Sequence, residues 1–534
     1  MFYTPNVDIH PLVEDHTVAL IICSVVATMV LVLLGNFCPI HFKPPLPPGP
    51  PTLPLIGHLH LLRRGNLDEM LQKWHRVYGP IVRVQLGTQT AISIGTHTVA
   101  RDLLDKKGSI YSSRPQMVMA GELATKGAHS ATLPYGPQWR THNRVHQSML
   151  NPRASRHYRP LLEYESTRLL QELQQHSASS HSGDLFSDCF NRYAASILLT
   201  LTDGEGVDST ADPVTFTKLF ATGTSLVDLL PVLKHLPLLV SPWKRAGDGF
   251  YLRTIGLFRS KAEKALLNKD NGAWNWTQHV QSFRGAKSMS QDERLFAVGV
   301  LYEAGVDTVT QALRACLLAA ALFPEASAQA RAELDEATSN TGRMPHLEDL
   351  AQMPYVRALI QESLRWWVIA PVGLPHALTE DDEYGGYHIP RATMVLACYQ
   401  AINTDEATFP DGISFRPERW LDDPTLPVTA FGFGRRACVG RHLAWDMLCI
   451  AVARMLWLFH VEQDPEAPIA DPLPDVRVGA MRKPASFSVR FHPRSSQHLD
   501  ILGRVIETPC AVEEILRPAA EYFQGLAVRE KGDN

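Results

Sequence analysis

The sequence lacks the features of several common protein classes. Its 534 residues carry no basic surplus, since 51 lysines and arginines are balanced by 55 acidic residues and the net charge is −4. A nucleic-acid-binding chain usually has a basic excess, so we predict no nucleic-acid partner. The eight cysteines form no C-x-x-C pair and no regular spacing, which argues against a disulfide framework or a zinc module. No glycine-rich phosphate loop follows a strand, so nucleotide binding has no support.

Charge is also missing from Thr17 to Phe42, where the core from Val18 to Leu34 is almost entirely apolar. About 20 apolar residues suffice to cross a bilayer as a helix. A secretory signal peptide is the alternative, but it would have a basic start and a small-residue cleavage site. We therefore predict a lumenal tip at residues 1–16 and a transmembrane anchor at 17–40. Lys43 follows the span, and the positive-inside rule then places the rest of the chain in the cytosol.

Proline is concentrated directly after this span, in the stretch from Lys43 to Pro51. Consecutive prolines force an extended, semi-rigid backbone and forbid a helix. A generic linker or a ligand for a small recognition module is the alternative reading. The position after an anchor favours a spacer, so we predict a hinge at residues 41–57.

The rest of the chain combines one clear hairpin with long helical patterns. Ile81–Leu86 and 91–94 flank a turn at Gly87, and the first of these segments alternates with period two. Helical periodicity dominates from about residue 97 to 380. We predict a mainly α fold with small β-sheets (α+β), formed by one large domain at residues 58–497. Residues 498–534 form an extension to which we assign no function.

The most informative stretch runs from Phe431 to Ala444 and surrounds Cys438 with glycines and arginines. Glycines beside one cysteine indicate a backbone that passes close to a flat or bulky group. Cys438 precedes a helical pattern, and the amides and dipole of a helix N-terminus favour a thiolate. Such a thiolate suits metal ligation or nucleophilic catalysis. A buried structural cysteine is the alternative, and it is the usual state of a free cysteine.

The wider pattern F-x-x-G-x-R-x-C-x-G closely resembles the haem-binding loop of the cytochrome P-450 family. Phe431, Gly434, Arg436, Cys438 and Gly440 fill its positions. The resemblance implies the cytochrome P-450 fold, with Cys438 as the axial iron ligand of haem b. It also implies that Phe431, Arg436 and Gly440 contact the cofactor.

An acid and a base stand one helical turn apart at Glu362 and Arg365. Such a pair is usually solvated and structural. The resemblance joins it to Arg419 as a buried triad behind the haem, which stabilises the core that carries the cysteine.

Within a long helical pattern, Ala304 to Thr308 includes a glycine, which is unfavourable in a helix interior. A local kink, with Thr308 hydrogen-bonded to the Ala304 carbonyl, is one interpretation. The resemblance implies that Asp307 and Thr308 form the catalytic acid–alcohol pair that supplies protons for oxygen activation.

The stretch around Trp139 and Arg140 resembles the helix of the family that holds a haem propionate, because an indole N–H and a guanidinium suit a carboxylate. The family often has a base four residues after the tryptophan, whereas this chain has Asn143. His376 is at a position where the family often has a further propionate contact.

The resemblance covers about residues 45–495 and implies a monooxygenase that uses dioxygen and electrons from NADPH. The 96 residues after Cys438 (534 − 438) are too few for a fused reductase, so a separate membrane-bound NADPH–P-450 reductase is expected at the endoplasmic reticulum. Arg435 and Arg441 could help to dock its acidic surface.

The predicted pocket lining is mostly apolar, so we expect a hydrophobic small-molecule substrate. By resemblance, the lining segments are Arg114–Ser130, Phe296–Ala304, Val368–Leu374 and the loop around Met481. Sequence details resemble fungal secondary-metabolite members of the family. Two alternatives stay open: a redox-independent haem-thiolate isomerase or dehydratase, and a non-catalytic haem-binding membrane protein.

Overall fold

The computed structural model describes residues 44–54, 56–62, 67–177, 184–204, 226–267, 274–338, 342–470, 475–478, 480–506 and 511–532. The predicted lumenal tip (1–16) and transmembrane anchor (17–40) lie outside the described residues. Within them, one helix, Gln291–Leu322, is long and apolar enough to cross a bilayer. However, 83% of its most apolar window is buried inside the protein, as in a core helix.

The described residues are mainly helical, as predicted. The α-helices are α1 (Leu59–Leu62), α2 (Leu67–Tyr78), α3 (His97–Ala100), α4 (Gly108–Tyr111), α5 (Pro137–Leu150), α6 (Pro152–Arg156), α7 (Arg159–Ser177), α8 (Leu185–Asp203), α9 (Leu226–Leu229), α10 (Pro242–Leu267), α11 (Trp276–Ser282), α12 (Gln291–Leu322), α13 (Pro324–Thr338), α14 (Pro354–Trp366), α15 (Tyr399–Ile402), α16 (Arg419–Asp422), α17 (Arg441–Leu458), α18 (Ser496–Ile506) and α19 (Val512–Gly532).

The strands are short and form one four-stranded sheet and three pairs. They are β1 (Ile81–Leu86), β2 (Gln89–Ile94), β3 (His376–Ala377), β4 (Asp382–Tyr384), β5 (Tyr387–Ile389), β6 (Met394–Ala397), β7 (Phe459–Gln463), β8 (Asp475–Val478), β9 (Met481–Pro484) and β10 (Val489–Pro493). The larger sheet has the order β1-β2-β6-β3, with β2 parallel to β6 and the other pairs antiparallel. The smaller sheets are β7 with β10, β4 with β5, and β8 with β9.

The predicted hairpin is confirmed, since β1 and β2 pair in register from Ile81 opposite Ile94 to Leu86 opposite Gln89. Gly87 stands in the turn with φ +59°, in the left-handed region that glycine adopts without strain.

Helix α12 is the centre of the main core. It begins at a capping box, in which the Glu293 N–H donates to the Ser290 hydroxyl (3.2 Å) and the Ser290 N–H donates to the Glu293 carboxylate (2.7 Å). Most of its residues are buried, and they pack in one large cluster with side chains of α7, α8, α14 and α17. A helix that is apolar on almost all sides is stable in water only when surrounded in this way.

The C-terminal extension forms helices that also contribute to this cluster. Ile515, Leu516, Ala519 and Phe523 are buried members of it. The Phe523 ring stacks on Trp274, with 4.4 Å between ring centroids. The extension therefore covers apolar surface of the described chain.

The chain divides into two compact units. The first comprises residues 1–46 and 383–388, and in it the His388 N–H donates to the Pro45 carbonyl (2.9 Å). The second comprises residues 47–382 and 389–534, and it contains the residues of the candidate site.

Candidate functional site

The loop that carries Cys438 has a backbone fixed by its surroundings. The Cys438 N–H donates to the Phe431 carbonyl (2.7 Å), and Gly440 directly precedes α17. Gly434 has φ +59°, and a Cβ atom there would lie 2.0 Å from the Leu104 carbonyl oxygen. A side chain at this position would therefore displace the loop, which explains the glycine.

Cys438 differs from the other cysteines that the structure describes. Its side chain is exposed, whereas those of Cys189, Cys316, Cys398 and Cys449 are buried. Although the residue is exposed, neighbouring protein atoms partly desolvate the thiol and raise its pKa, while the Gly440 N–H and Arg441 act in the opposite direction. The N-terminus of α17 thus favours the thiolate, as predicted. Without a bound metal, however, its effect on the pKa of Cys438 is smaller than that of desolvation. A bound metal cation would supply the missing stabilisation, because a coordinating thiol is deprotonated.

On the central helix α12, Ala304 and Thr308 are exposed although the residues around them are mostly buried. The Thr308 hydroxyl donates to the Ala304 carbonyl (2.7 Å). This is the hydrogen bond that belongs to the interpretation of the segment as a local kink. A Cβ atom on Gly305 would lie 2.5 Å from Leu198 Cδ1 on α8. Close packing of α12 on α8 thus accounts for the glycine, and Ala304 and Thr308 form an open face of the helix.

Asp307 is buried beside this face, and its carboxylate is 3.7 Å from Lys483 Nζ on β9. No described contact joins Asp307 to Thr308. Lys483 is a candidate site residue that sequence reasoning missed, because only the folding of β9 against α12 brings the two charges together.

Arg436 lies against Trp139, with 4.4 Å between its guanidinium carbon and the ring centroid. Its guanidinium also donates to the backbone carbonyls of Ser112 (2.8 Å) and Leu133 (2.7 Å). The predicted residues Arg436 and Trp139 are therefore brought together.

Two further bases lie close to this pair. Arg114 donates to the carbonyls of Leu374 (2.8 Å) and Pro375 (2.6 Å), directly before His376. The His376 ring donates through Nδ1 to the Tyr111 carbonyl (2.9 Å), so its tautomer is fixed and Nε2 is left as an acceptor or a site for a proton. Sequence reasoning missed Arg114 as an individual site residue, since no local motif marks it.

The electrostatics of this cationic cluster (Arg114, Arg436 and His376) favour the binding of an anion. Burial lowers the pKa of each arginine, and the charge of Arg114 lowers that of Arg436 further. The pKa of His376 falls to about 3, first through burial and then through the two arginines. No carboxylate among the described residues pairs with Arg114 or Arg436. Guanidinium groups bind carboxylates well, so the cluster fits a group that carries carboxylates, as the propionates of haem do.

Arg140 is placed differently from Trp139. It is exposed on α5, and its guanidinium carbon lies 5.7 Å from the centroid of the Tyr135 ring. Arg435 also lies over this ring, at 5.2 Å, and donates to the Tyr135 hydroxyl. The structure therefore places Arg140 beside Tyr135 and outside the cationic cluster.

The three residues of the predicted triad are in contact and fully enclosed. Glu362 accepts two bonds from Arg365 (2.7 and 2.8 Å) and one from Arg419 Nε (3.1 Å). The Trp420 indole N–H and the Arg416 N–H donate to the same carboxylate (2.9 and 2.8 Å). Each oxygen is thus satisfied, as a buried charge requires.

A groove beside the cysteine loop is lined by positive side chains. Its volume is 390 Å³, and its lining includes the four arginines Arg156, Arg159, Arg357 and Arg441. Asp446 in the same groove neutralises part of this charge by pairing with Arg159 (3.0 Å). We call this feature the basic groove.

Comparison with known proteins places this chain in a family. The family model "Cytochrome P-450" matches residues 47–491. The chain is 44% identical to cytochrome P-450 monooxygenase drtD of Aspergillus calidoustus, over 85% of this chain and 86% of the relative. It is 42% identical to cytochrome P-450 monooxygenase aneD of Aspergillus aculeatus (89% and 94%) and 34% identical to fumitremorgin C synthase of Neosartorya fischeri (88% and 92%).

Proposed function

Because the chain belongs to the cytochrome P-450 family, it is a haem-thiolate monooxygenase, and we propose that Cys438 is its iron ligand. The exposed thiol in a rigid loop is the observation that carries this assignment. When bound, haem b with a thiolate ligand supplies the activation of dioxygen, with electrons from NADPH delivered through a reductase. Phe431 and Gly440 would line the cofactor at the cysteine loop.

We propose that the cationic cluster holds the haem propionates, with Trp139 beside Arg436. Support comes from two arginines without a described acidic partner, the buried Arg114 and the partly buried Arg436. His376 would take part as a neutral ring or gain a proton when a carboxylate approaches. Arg140 would contribute positive charge from the surface, since it lies over Tyr135.

Asp307 and Thr308 are proposed to control proton delivery to the substrate site. Thr308 is on the open face of α12, and its hydroxyl already donates to the Ala304 carbonyl, so its oxygen can accept another hydrogen bond. Asp307 is tethered to Lys483 and would exchange protons with solvent from that side. Glu362, Arg365 and Arg419 would keep a structural role.

The reductase is proposed to dock at the basic groove. Arg441 links this groove to the cysteine loop, because its guanidinium donates to the Cys438 carbonyl (3.3 Å). An acidic flavoprotein surface would be attracted there, and the attraction would weaken with salt. Replacing Arg441 by Glu should slow reduction by NADPH and reductase without changing reduction by dithionite. Arg517→Glu on α19 is a matched control, since its pair with Glu514 is exposed.

We propose that residues 17–40 anchor the enzyme in the endoplasmic reticulum membrane and that residues 41–57 form the hinge. The support is the absence of charge from 17 to 42 and the proline cluster that follows. On this proposal residues 1–16 are lumenal and 58–497 form the cytosolic catalytic domain, followed by the extension 498–534.

The substrate is proposed to be a hydrophobic small molecule of fungal secondary metabolism, as the kinship to the Aspergillus monooxygenases suggests. The test is to feed candidate metabolites to a host that expresses the chain with a reductase and to identify products by mass. Product should carry one added oxygen atom or a further oxidation and should require NADPH and reductase. Turnover without either would favour the isomerase or dehydratase, and binding without product would favour a non-catalytic haem protein.

A further inference from the structure

Residues 231–240 form a run of apolar side chains that the fold leaves exposed to solvent. We call this run the apolar segment. All residues from 236 to 240 are exposed, and Leu239 is 91% exposed. Val232, near the start of the segment, is exposed as well. A contiguous apolar patch of this kind usually marks a surface that contacts a partner or a membrane.

The apolar segment has a defined backbone. It consists mainly of two short 3₁₀ helices, Pro231–His235 and Leu238–Val240. The Leu236 carbonyl between them accepts hydrogen bonds from Lys244 Nζ (2.7 Å) and from the Ser241 hydroxyl (3.3 Å). The fold thus holds these apolar side chains at the surface and does not turn them into the core.

Positive charge accompanies the apolar segment. Residues 230–247 include the cations Lys234, Lys244 and Arg245 and no acidic residue. Lys234 lies 3.4 Å from the carboxylate of Glu122. In the part of the chain that the structure describes, no carboxylate pairs with Lys244 or Arg245. Exposed apolar side chains beside basic residues are typical of a surface that binds a membrane with anionic lipids.

The β1–β2 turn connects the apolar segment with the end of the predicted hinge. Gln89 donates to the carbonyl of Asp228 on α9, just before the segment (2.8 Å). Leu86 faces Gln89 across the turn and pairs with Gly57, the last residue of the hinge. Leu53, also in the hinge, is a further exposed apolar residue. Because only residues 41–57 separate this turn from the proposed anchor, a bilayer is within reach of the segment.

We propose that the apolar segment is a second membrane contact and that it binds a bilayer containing anionic lipids. Its leucines enter the lipid interface, while Lys244 and Arg245 bind the headgroups. The inference rests on the membrane anchor proposed above. Burial in lipid removes the apolar side chains from water, and each basic residue at an anionic surface adds about a fivefold gain in affinity. A second copy of the chain fits less well, because it would bring two cationic surfaces together.

The experiment replaces Leu239 by the photoreactive residue p-benzoylphenylalanine in the haem-loaded full chain. The protein is reconstituted in vesicles of phosphatidylcholine, with and without phosphatidylserine. After irradiation, mass spectrometry of the labelled peptide measures the yield of lipid adduct. Val528 on α19, which is 70% exposed, is the matched control position. Val30, within the proposed anchor, is the position that reports on the anchor itself.

The label at Leu239 should form a lipid adduct, and the label at Val528 should form none. Phosphatidylserine should raise the yield at Leu239. Arg245→Glu should reduce this gain about fivefold, because a headgroup contact is lost. Lys264→Glu, at the other end of α10, is the matched charge reversal and should leave the gain unchanged.

Absence of a lipid adduct at Leu239 overturns the proposal, and so does a covalent protein dimer in its place. A yield that does not respond to phosphatidylserine overturns the assignment of anionic lipids. An adduct at Val30 without one at Leu239 contradicts the second contact alone. Absence of an adduct at both positions contradicts the proposed anchor itself.

Discussion

The guanidinium of Arg436 lies 4.4 Å from the centre of the Trp139 ring, although 297 residues (436 − 139) separate them in the sequence. Backbone carbonyls hold the guanidinium in place, and its pKa is lowered first by desolvation and then by the charge of Arg114. The fold thus keeps two like charges near each other, one of them buried and the other partly buried. A bound anion would relieve this repulsion.

Arg436→Gln should therefore lower haem content while leaving the haem-free chain as stable as the wild type or more so. The lost guanidinium weakens carboxylate binding, whereas its removal relieves repulsion with Arg114. The haem-to-protein absorbance ratio and thermal unfolding of the haem-free chain measure the two effects. Arg435→Gln, at an exposed position over Tyr135, is the control. An unchanged haem content in Arg436→Gln would contradict the propionate assignment.

Glu362→Gln should destabilise the chain by about 3–5 kcal/mol, because it leaves Arg365 and Arg419 buried without their counter-charge. The pair Arg517–Glu514 provides the comparison, as both side chains are 60% exposed. Glu514→Gln should change the free energy of unfolding by less than about 0.5 kcal/mol. Urea denaturation measures both values. Equal, small effects would show that the triad does not stabilise the core.

Thr308→Ala should reduce the yield of product per NADPH roughly tenfold, since the proposed proton delivery loses its hydroxyl group. The diverted electrons should appear as hydrogen peroxide. Thr308→Ser keeps the hydroxyl and should remain largely coupled. NADPH consumption, peroxide and product are measured together, and normal coupling in Thr308→Ala would refute the relay.

Glu303→Gln should raise the melting temperature more at pH 8 than at pH 5. The pKa of Glu303 is raised from 4.5 to about 8 in the folded chain. The folded state therefore keeps a proton that the unfolded state releases, and wild-type stability falls as pH rises from about 4.5 to 8. Glutamine does not titrate and avoids this loss, which is on the order of a few kcal/mol. A difference that does not vary with pH would show that Glu303 is ionised in the folded chain.

Local patterns predicted the parts of this molecule that depend on adjacent residues. The β1–β2 hairpin is confirmed, and the loop around Cys438 precedes a helix as expected. Glu362 and Arg365 are one helical turn apart, and this spacing can be read directly from the sequence. The partner Arg419 could be named only through the resemblance to a family, because its contact spans 57 residues (419 − 362).

Other features depend on the approach of distant segments and were not predictable. Arg114 joins the cationic cluster only because its segment folds against the residues before His376. Lys483 meets Asp307, and Gly305 makes room for Leu198, through packing of separate elements on α12. Arg140, although adjacent to Trp139 in sequence, lies over Tyr135, since neighbours on a helix point about 100° apart.

The absorption spectrum of the reduced protein with CO tests the central claim most directly, because it reports the ligand opposite CO on the haem iron. The full chain should show the spectrum of a thiolate-ligated haem, and Cys438→Ser should lose it while Cys449→Ser, at a buried cysteine, retains it. A wild-type spectrum without thiolate character, or a thiolate spectrum that survives Cys438→Ser, would contradict the assignment of Cys438 as the iron ligand.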